Sequence, residues 1–311
     1  MNGLANHRRQ TGVALLVALL VVALATLLIA ALLDDGQLSA ARTRNQLRAM
    51  QAQAYARGLE AYAAQVLVKD KDQGAIDAND DIWAMPLPPT PVPGGSIRAR
   101  MNDLNGCFNL NNLYQNGSKQ DLWVQRFRRL LLVLQLSPDI AEATVDWISP
   151  DLGRSERGAD DGTYLARTPA YLAANHMFVD ASELRLVAGV DAHAWDRLRP
   201  YVCALPTKTT LNLNTASIPV LMSLHQGITR PLAARIHQDG HAHWGSPDKA
   251  LAELRRAGVN LDPAQSKGLS VTSEYFRAHA FIELDTIQFV YTSLLQRQAG
   301  VRVLQRDQGG S

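Results

Sequence analysis

The chain has 311 residues, enough for about two folded units. Apolar residues make up 47% and charged residues 19%, with 14 Pro and 21 Gly, which excludes wholesale disorder, a collagen repeat and a coiled-coil rod. Net charge is +2, and Arg8 and Arg9 are the only charged residues before Asp34, so the rest of the chain is neutral. It lacks the basic footprint that a nucleic-acid partner requires.

Residues 13–33 (VALLVALLVVALATLLIAALL) run 21 positions without a charge, Gly or Pro, and Thr26 is the lone polar side chain. As a helix this rises about 31 Å, the thickness of a bilayer's hydrocarbon core. Arg8 and Arg9 precede the run and Asp34 and Asp35 follow it. The Lys/Arg bias predicts a single pass with a cytoplasmic N-terminus, everything after residue 33 being exported. Two plainer readings compete: an uncleaved signal anchor, and a cleaved secretory signal with Ala23-Leu24-Ala25 as its small-residue site. Apolar sequence continues eight positions past that tripeptide, which disfavours cleavage there. The arginine pair lacks the usual company of a twin-arginine signal.

The order of elements is more telling: a short basic leader, then Gly12, then an abrupt apolar start at Val13. This resembles a type IV prepilin signal, which implies that a prepilin peptidase cuts after Gly12 and leaves Val13 as the new N-terminus of a retained helix. The fifth mature position, usually Glu in that family, is Val17 here. A carboxylate in lipid is costly unless paired, and a subunit with no neighbour above it has no use for one, so Val17 either counts against the prepilin reading or points to the tip of a filament.

From Gln37 to Leu67 the chain is Ala-, Gln- and Arg-rich without Pro. Leu38, Leu47, Met50, Tyr55, Leu59, Tyr62 and Val66 predict an apolar stripe on a helix that leaves the membrane, packs on a domain and ends near residues 67–70. The acid-rich KDKDQGAIDANDDIW reads as a solvated loop. An EF-hand is excluded there, because setting Gly74 at the sixth position puts Lys69, Lys71 and Gln73 where carboxylates are required. A proline cluster from Pro86 to Pro93 reads as further loop, and SIRARMN, alternating apolar and basic, as a strand with one wet face. Helical patterns such as LWVQRFRRLLLVLQL, stopped at Ser137-Pro138, occupy roughly residues 120–261, and three β segments close the chain after Leu269. The order predicts an α+β unit with a helical domain inserted in it.

Within the insert Ser182–Val190, Ser217–Ile228 and Ser246–Val259 each run from a Ser at a predicted helix start to a Gly followed by a β-branched residue. NLNTAS with the following LxxLxxGI resembles a helix-hairpin-helix, which raises a membrane-anchored DNA-binding protein as an alternative. Thr229 replaces the second hairpin glycine, and the neutral charge favours a packing unit. His237, His241 and His243 with Asp239 invite a zinc reading, but Gly240 interrupts the helix that would align them.

Together the prepilin-like start without its Glu, DLNGCFNLNNL, DWISPDL, GADDGTYLARTPAY, ANHMFVDASELRLVAGV, LRPYVCALP and LNLNTAS resemble the K-type minor pseudopilin of the bacterial type II secretion system. The resemblance covers nearly the whole chain. It implies a pilin-like helix on a small β-sheet, interrupted by a large all-α SAM-like domain. On that reading residues 1–12 are the leader, 13–33 the transmembrane helix, 34–119 the stem and first pilin-like part, 120–265 the insert and 266–311 the closing β part. It implies a place in the inner membrane with a periplasmic head, I- and J-type minor pseudopilins as partners in a tip complex, contact with the inner-membrane assembly platform, and a role in starting or regulating pseudopilus assembly. It also implies Ca2+ in the helical domain. Carried over by motif, Asp146, Asp151, Asp160 and Asp161 are the ligand candidates, with Asn175 and Glu183 from the following stretch; Ser149 stands where the family tends to have Asp.

Cys107 and Cys203 are the two cysteines of an exported chain, either bridged across a 96-residue span or separately buried; an even count in an oxidising compartment favours the bridge. The sequence carries no GxSxG, HExxH, phosphate loop or CxxC. A membrane-anchored hydrolase has no positive support, and the reading is of a protein that works by contact rather than catalysis.

Overall fold

The computed structural model describes residues 10–150 and 158–309, with side chains from Gly12 onward. The chain opens with one uninterrupted helix, α1 (Gln10–Gln73), about 96 Å long at 1.5 Å per residue. Residues 12–40 touch nothing and are exposed throughout. Only the second half meets protein, through Ala52, Leu59, Ala63 and Leu67, which recur at helical spacing and are buried. The predicted stripe is therefore corrected. Leu59, Tyr55 and Val66 do face the domain, but Leu38, Leu47, Met50 and Tyr62 stay exposed. Two alanines take the central places because a methyl side chain lets the helix lie close on a sheet. The helix also runs on to Gln73, beyond the predicted end.

Strand β1 (Leu87–Val92) pairs antiparallel with β2 (Gly95–Asp103). The proline cluster read as loop is thus an edge strand. Prolines lack the ladder donor and are tolerated at an edge, and the pairing shifts register between Leu87 and Thr90, where Pro88 and Pro89 lie. The chain then leaves the sheet. It forms β3 (Phe108–Asn109), a small hairpin of β4 (Tyr114–Gln115) and β5 (Ser118–Lys119), and the helices α2 (Asp121–Val133), α3 (Ile140–Ile148), α4 (Asp161–Leu165) and α5 (Ala192–Leu198). After β6 (Val202–Cys203) and β7 (Leu211–Asn212) come α6 (Ile218–Ser223), α7 (Arg230–His237), α8 (Pro247–Arg256) and β8 (Leu269–Ser270). The sheet resumes with β9 (Tyr275–Leu284), β10 (Ile287–Arg297) and β11 (Val301–Gln308). Its order is β1-β2-β9-β10-β11, antiparallel throughout, so the strands before and after the insert are hydrogen-bonded neighbours.

The insert leaves at Asp103 and returns at Tyr275, where Leu104 N donates to Tyr275 O at 2.9 Å, so its two feet stand side by side. Residues 104–119, expected to belong to the pilin-like part, contribute Phe108, Leu110 and Leu113 to the helical core. That core forms around α2. Phe108 stacks on Phe127 and meets Trp123 edge-on, and buried Arg126 donates to Gln265 O and Lys267 O. Of the three predicted serine helix starts, two stand at N-cap positions and one is displaced. Asp180 caps the short 3-10 turn Ala181–Leu186, while Ser217 and Ser246 hold N-cap positions without a capping bond. Pro219, Pro231 and Pro247 in the first turns set the starts of α6, α7 and α8 instead.

Cys107 and Cys203 are joined by a disulfide, their Cα atoms 6.0 Å apart, beside Leu104, Leu205 and Tyr275 at the foot of the insert. Replacing both by Ala is expected to lower the unfolding free energy by about 2–5 kcal/mol, because the bridge closes a long loop. Urea unfolding followed by tryptophan fluorescence checks this. A midpoint unchanged by the substitutions or by reductant removes the bridge from the stability argument.

Candidate functional site

Two features of the fold stand out: a helix segment with no protein packed on it, and a buried junction that fixes the head to the rod. The first is the bare half of α1. Of the 21 residues from Val13 to Leu33, 14 are Leu, Val or Ile. At about 0.3–0.6 kcal/mol each in favour of the membrane, they contribute about 4–8 kcal/mol toward insertion. The apolar run has mean hydropathy 3.1, and none of it is buried in protein. Gly12 and Val13 lie on this continuous helix with open space around the Gly12 Cα, and Val17 is 53% exposed, one more apolar position of the run.

The second is the junction where the head meets the rod. Arg297, at the end of β10, is buried and donates to Leu67 O (3.3 Å), Asp70 (2.9 Å), Ser273 O (3.0 Å) and Asp77, and lies over the Phe276 ring. Asp77 takes a further bond from Ser273 N at 2.7 Å. Beside them Asp103 accepts from Ser273 Oγ (2.7 Å), Asn105 N (2.7 Å) and the Thr215 hydroxyl. The acid-rich segment predicted to be a solvated loop is therefore largely structural. Asp70 and Asp77 are buried, and Ala78 and Trp83 go with them. Burial pushes Asp70 up to about 6, with the Asp81 and Asp77 charges adding and Arg297 opposing. Burial likewise pushes Asp103 up to about 6 against its hydrogen bonds.

Of the acids expected to bind metal, no three among the described residues bring their carboxylate oxygens within 4.8 Å of one another. Asp146 is buried on α3, and Asn175, in a left-handed conformation, donates its backbone N to Trp147 O at 2.9 Å. Asp161 Oδ1 accepts from Ala173 N at 3.0 Å, which ties α4 to the same strip of chain. Asp160 caps α4 by accepting from Thr163 N and Oγ1. Glu183 is committed elsewhere, its Oε1 accepting from Val179 N and Asp180 N in a capping box. Asp151 lies outside the described residues. The histidines do not converge on one another. His243 meets Asp80 at 3.3 Å, and the buried Nδ1 of His237 has no partner. In the hairpin of α6 and α7, Leu221, Leu224, Ile228 and Ile236 turn into the core as a packing unit.

The model of a family described as type II secretion system (T2SS), protein K matches residues 106–207, and a second model of the same description matches 211–272. The chain is 36% identical to the type II secretion system protein K of Pseudomonas aeruginosa over 97% of this chain and 94% of that protein. It is 34% identical to the protein K of Pectobacterium carotovorum subsp. carotovorum over 97% of each. The chain belongs to the type II secretion system protein K family. The crystal structure of the GspK-GspI-GspJ complex from the type 2 secretion system of enterotoxigenic Escherichia coli contains a similar chain, with TM-score 0.77 and 31% identity, covering 87% of this chain and 100% of that one.

The two family models meet in the loop before β7, and in this protein K chain that loop is stitched by buried asparagines. Asn112 Nδ2 donates to Thr209 O and Asn105 Nδ2 to Thr210 O. Two Asn-Leu-Asn triplets make the same turn: Asn109 Oδ1 accepts from Asn111 N, and Asn212 Oδ1 from Asn214 N. Each amide then reaches a distant segment, Asn111 holding Phe178 and Leu205, Asn212 holding Asp77 O and Ser273, and Asn214 holding Trp244. These residues substitute for backbone partners where irregular chain is buried. The repeated NLN in the sequence was the available signal for them.

Arg297→Met is expected to destabilise by about 3–5 kcal/mol, because it leaves Asp70 and Asp77 buried without a countercharge. For Asp103 the folded pKa lies above the unfolded 3.8, so its favourable contribution is present below that value and is lost as pH rises through about 6. Asp103→Asn is therefore expected to gain on the unsubstituted protein between pH 4 and 7. Denaturant midpoints across that range check it, and a difference that is flat with pH contradicts the junction's electrostatics.

Proposed function

We propose that this chain is the minor pseudopilin that caps the type II secretion pseudopilus and nucleates or regulates its assembly for export of folded proteins. The observation that carries this reading is the full-length likeness to protein K, including a chain crystallised with I and J subunits, together with the unpartnered apolar half of α1. Prepilin peptidase removes residues 1–12 on the cytoplasmic side, and Val13 becomes the N-terminus of a single-pass helix with the head in the periplasm. The helix waits in lipid. On assembly it exchanges hydrocarbon for packing against the helices of I- and J-type partners, an exchange driven by van der Waals packing rather than by further removal from water. Val17 leaves no carboxylate needing a partner above it. The insert, seated at the sheet end away from the membrane, blocks addition of another subunit. On this reading the chain works by contact and performs no catalysis.

We further propose that the head binds calcium, a reading that rests on the motif resemblance: Asp146, Asp160, Asp161 and the side-chain oxygen of Asn175 are hard oxygen donors on two neighbouring strips of chain. Glu183 and Asp160 each have one carboxylate oxygen committed to a cap, Glu183 Oε1 to Val179 N and Asp180 N and Asp160 Oδ1 to Thr163. A bound ion would tie α3 to the segment after α4 and stabilise the head.

Intact mass of the native protein is expected to begin at Val13, and a start at Met1 or beyond Ala25 counts against the reading. The chain is expected to copurify with I- and J-type pseudopilins, and failure to form any complex contradicts the tip assignment. Calcium is expected to raise the thermal midpoint reversibly, with Asp161→Asn weakening binding about tenfold or more. No bound calcium by metal analysis and no thermal shift removes the ion.

A further inference from the structure

We propose that the open face of the sheet, opposite α1, docks a carboxylate-bearing segment of a partner protein on Arg98, Arg100 and Arg277. The inference rests on this face and on a membrane-inserted apolar run, and does not rest on the tip assignment.

One face of the sheet is consumed by α1 through Ala280, Ile282, Leu284, Phe276 and Leu295. Alternate residues point the other way, and the register fixes which they are. Arg98 stands opposite Phe281, Arg100 opposite His279, and Asn102 opposite Arg277. The next strand adds Val290, Thr292 and Leu294 across from these. The insert covers only the end of this face, where Tyr275 and Leu294 pack beside Leu104 and Leu205. Arg98 and Arg100 are exposed, and Arg277, His279 and Phe281 are half-buried.

Two features make this more than a solvated strand face. The guanidinium groups of Arg98 and Arg100 lie 4.7 Å and 5.6 Å from the centroid of the Phe281 ring. A guanidinium held flat on a ring keeps its in-plane N–H groups free for two-point binding of a carboxylate. Arginine also outnumbers carboxylate on this face. Among the described residues, Arg98, Arg100 and Arg277 form no ion pair, and the carboxylates of this face, Glu283 and Asp307, stand at its margins. His279 sits within this face. It faces Arg100 across β2, Arg277 along its own strand, and the Thr292 hydroxyl on β10 with Asp307 beyond on β11, and it is lowered to about 4 by burial and then by the two arginines.

The position selects protein over lipid as the occupant. Gln51 Nε2 donates to Pro93 O at 2.9 Å, which fixes the membrane-side end of the sheet near residue 51 of α1. The apolar run ends at Leu33, so the sheet begins about 27 Å beyond it along the helix. That is about three Debye lengths at physiological salt, too far for headgroup phosphates to neutralise the patch.

The test uses the full chain in phosphatidylcholine nanodiscs and a rhodamine-labelled peptide of alternating Glu and Leu. Binding by fluorescence anisotropy at about 50 mM salt is expected to weaken about tenfold at about 300 mM salt, and by a similar factor in Arg100→Glu with Arg277→Glu. The milder Arg100→Gln with Arg277→Gln, which guards against misfolding, is expected to weaken it less, and Arg255→Glu on α8 to leave it unchanged. Peptide saturation is expected to raise the His279 pKa, read by NMR, from its depressed value toward 6.5. Equal binding by the double variants, or an unmoved His279, overturns the proposal. So does arginine-dependent flotation with phosphatidylglycerol vesicles that the peptide does not displace, which assigns the face to lipid. Copurification with I- and J-type partners is read separately, so either reading can fail without the other.

Discussion

One rod must satisfy two surroundings. α1 crosses from a stretch with no protein contact to a stretch packed on a sheet without a break in its hydrogen-bond ladder. Helix propagation is cooperative, so the packed half nucleates and the apolar half extends at little cost. The two halves obey different rules. The first is greasy on every side, as lipid and bundled helices require. The second carries one narrow buried stripe in which Ala52 and Ala63 set the distance to the strands. Orientation of the head relative to the apolar run follows from this continuity, since α1 stays helical from Leu33 through Gly36 to Ala52.

The junction makes that orientation rigid. The insert stands on two adjacent feet, a connection that by itself would let it swing. Arg297 prevents this by reaching from β10 to the last turn of α1, to the following loop and to the returning foot at Ser273 in one fan of bonds. Asn212, in the second part of the insert, bonds the same loop at Asp77 O and the same foot at Ser273. Buried charge is a poor source of stability, and the raised pKa values of Asp70 and Asp103 show the burial cost at neutral pH. What the cluster supplies is one geometry among rod, sheet and head.

The elements most legible in the sequence were those with strong periodicity. The apolar run, the alternating SIRARMN strand, the three closing strands and the helix around Trp123–Leu130 lie where hydrophobic spacing predicts them. The inserted topology followed from their order. The errors have physical causes. Proline reads as a loop until a sheet edge is available to hold it, as at Pro88 to Pro91. Asp70 and Asp77 read as solvated because their countercharge, Arg297, lies more than 200 residues away in sequence. The asparagine turns carry no hydrophobic signal at all, and they show only through the repeat of NLN at 109–111 and 212–214.

Charge arithmetic over a whole chain hides its distribution, and the fold separates what the sequence mixes. Beyond Leu33 the chain is neutral in sum, which removes a phosphate-binding surface of the size nucleic acid needs. Within that sum Asp70 and Asp77 are buried at the junction with Asp103 hydrogen-bonded beside them, while the arginines of β2 and β9 are left on an open face. Antiparallel pairing produces the segregation: a period of two sends Ile97, Ala99 and Met101 to α1 and Arg98 and Arg100 to the other side, and the register places Arg277 on that same side. A neutral sequence thereby presents a basic patch of a few residues, large enough to orient a partner's carboxylates and too small to hold a polyanion.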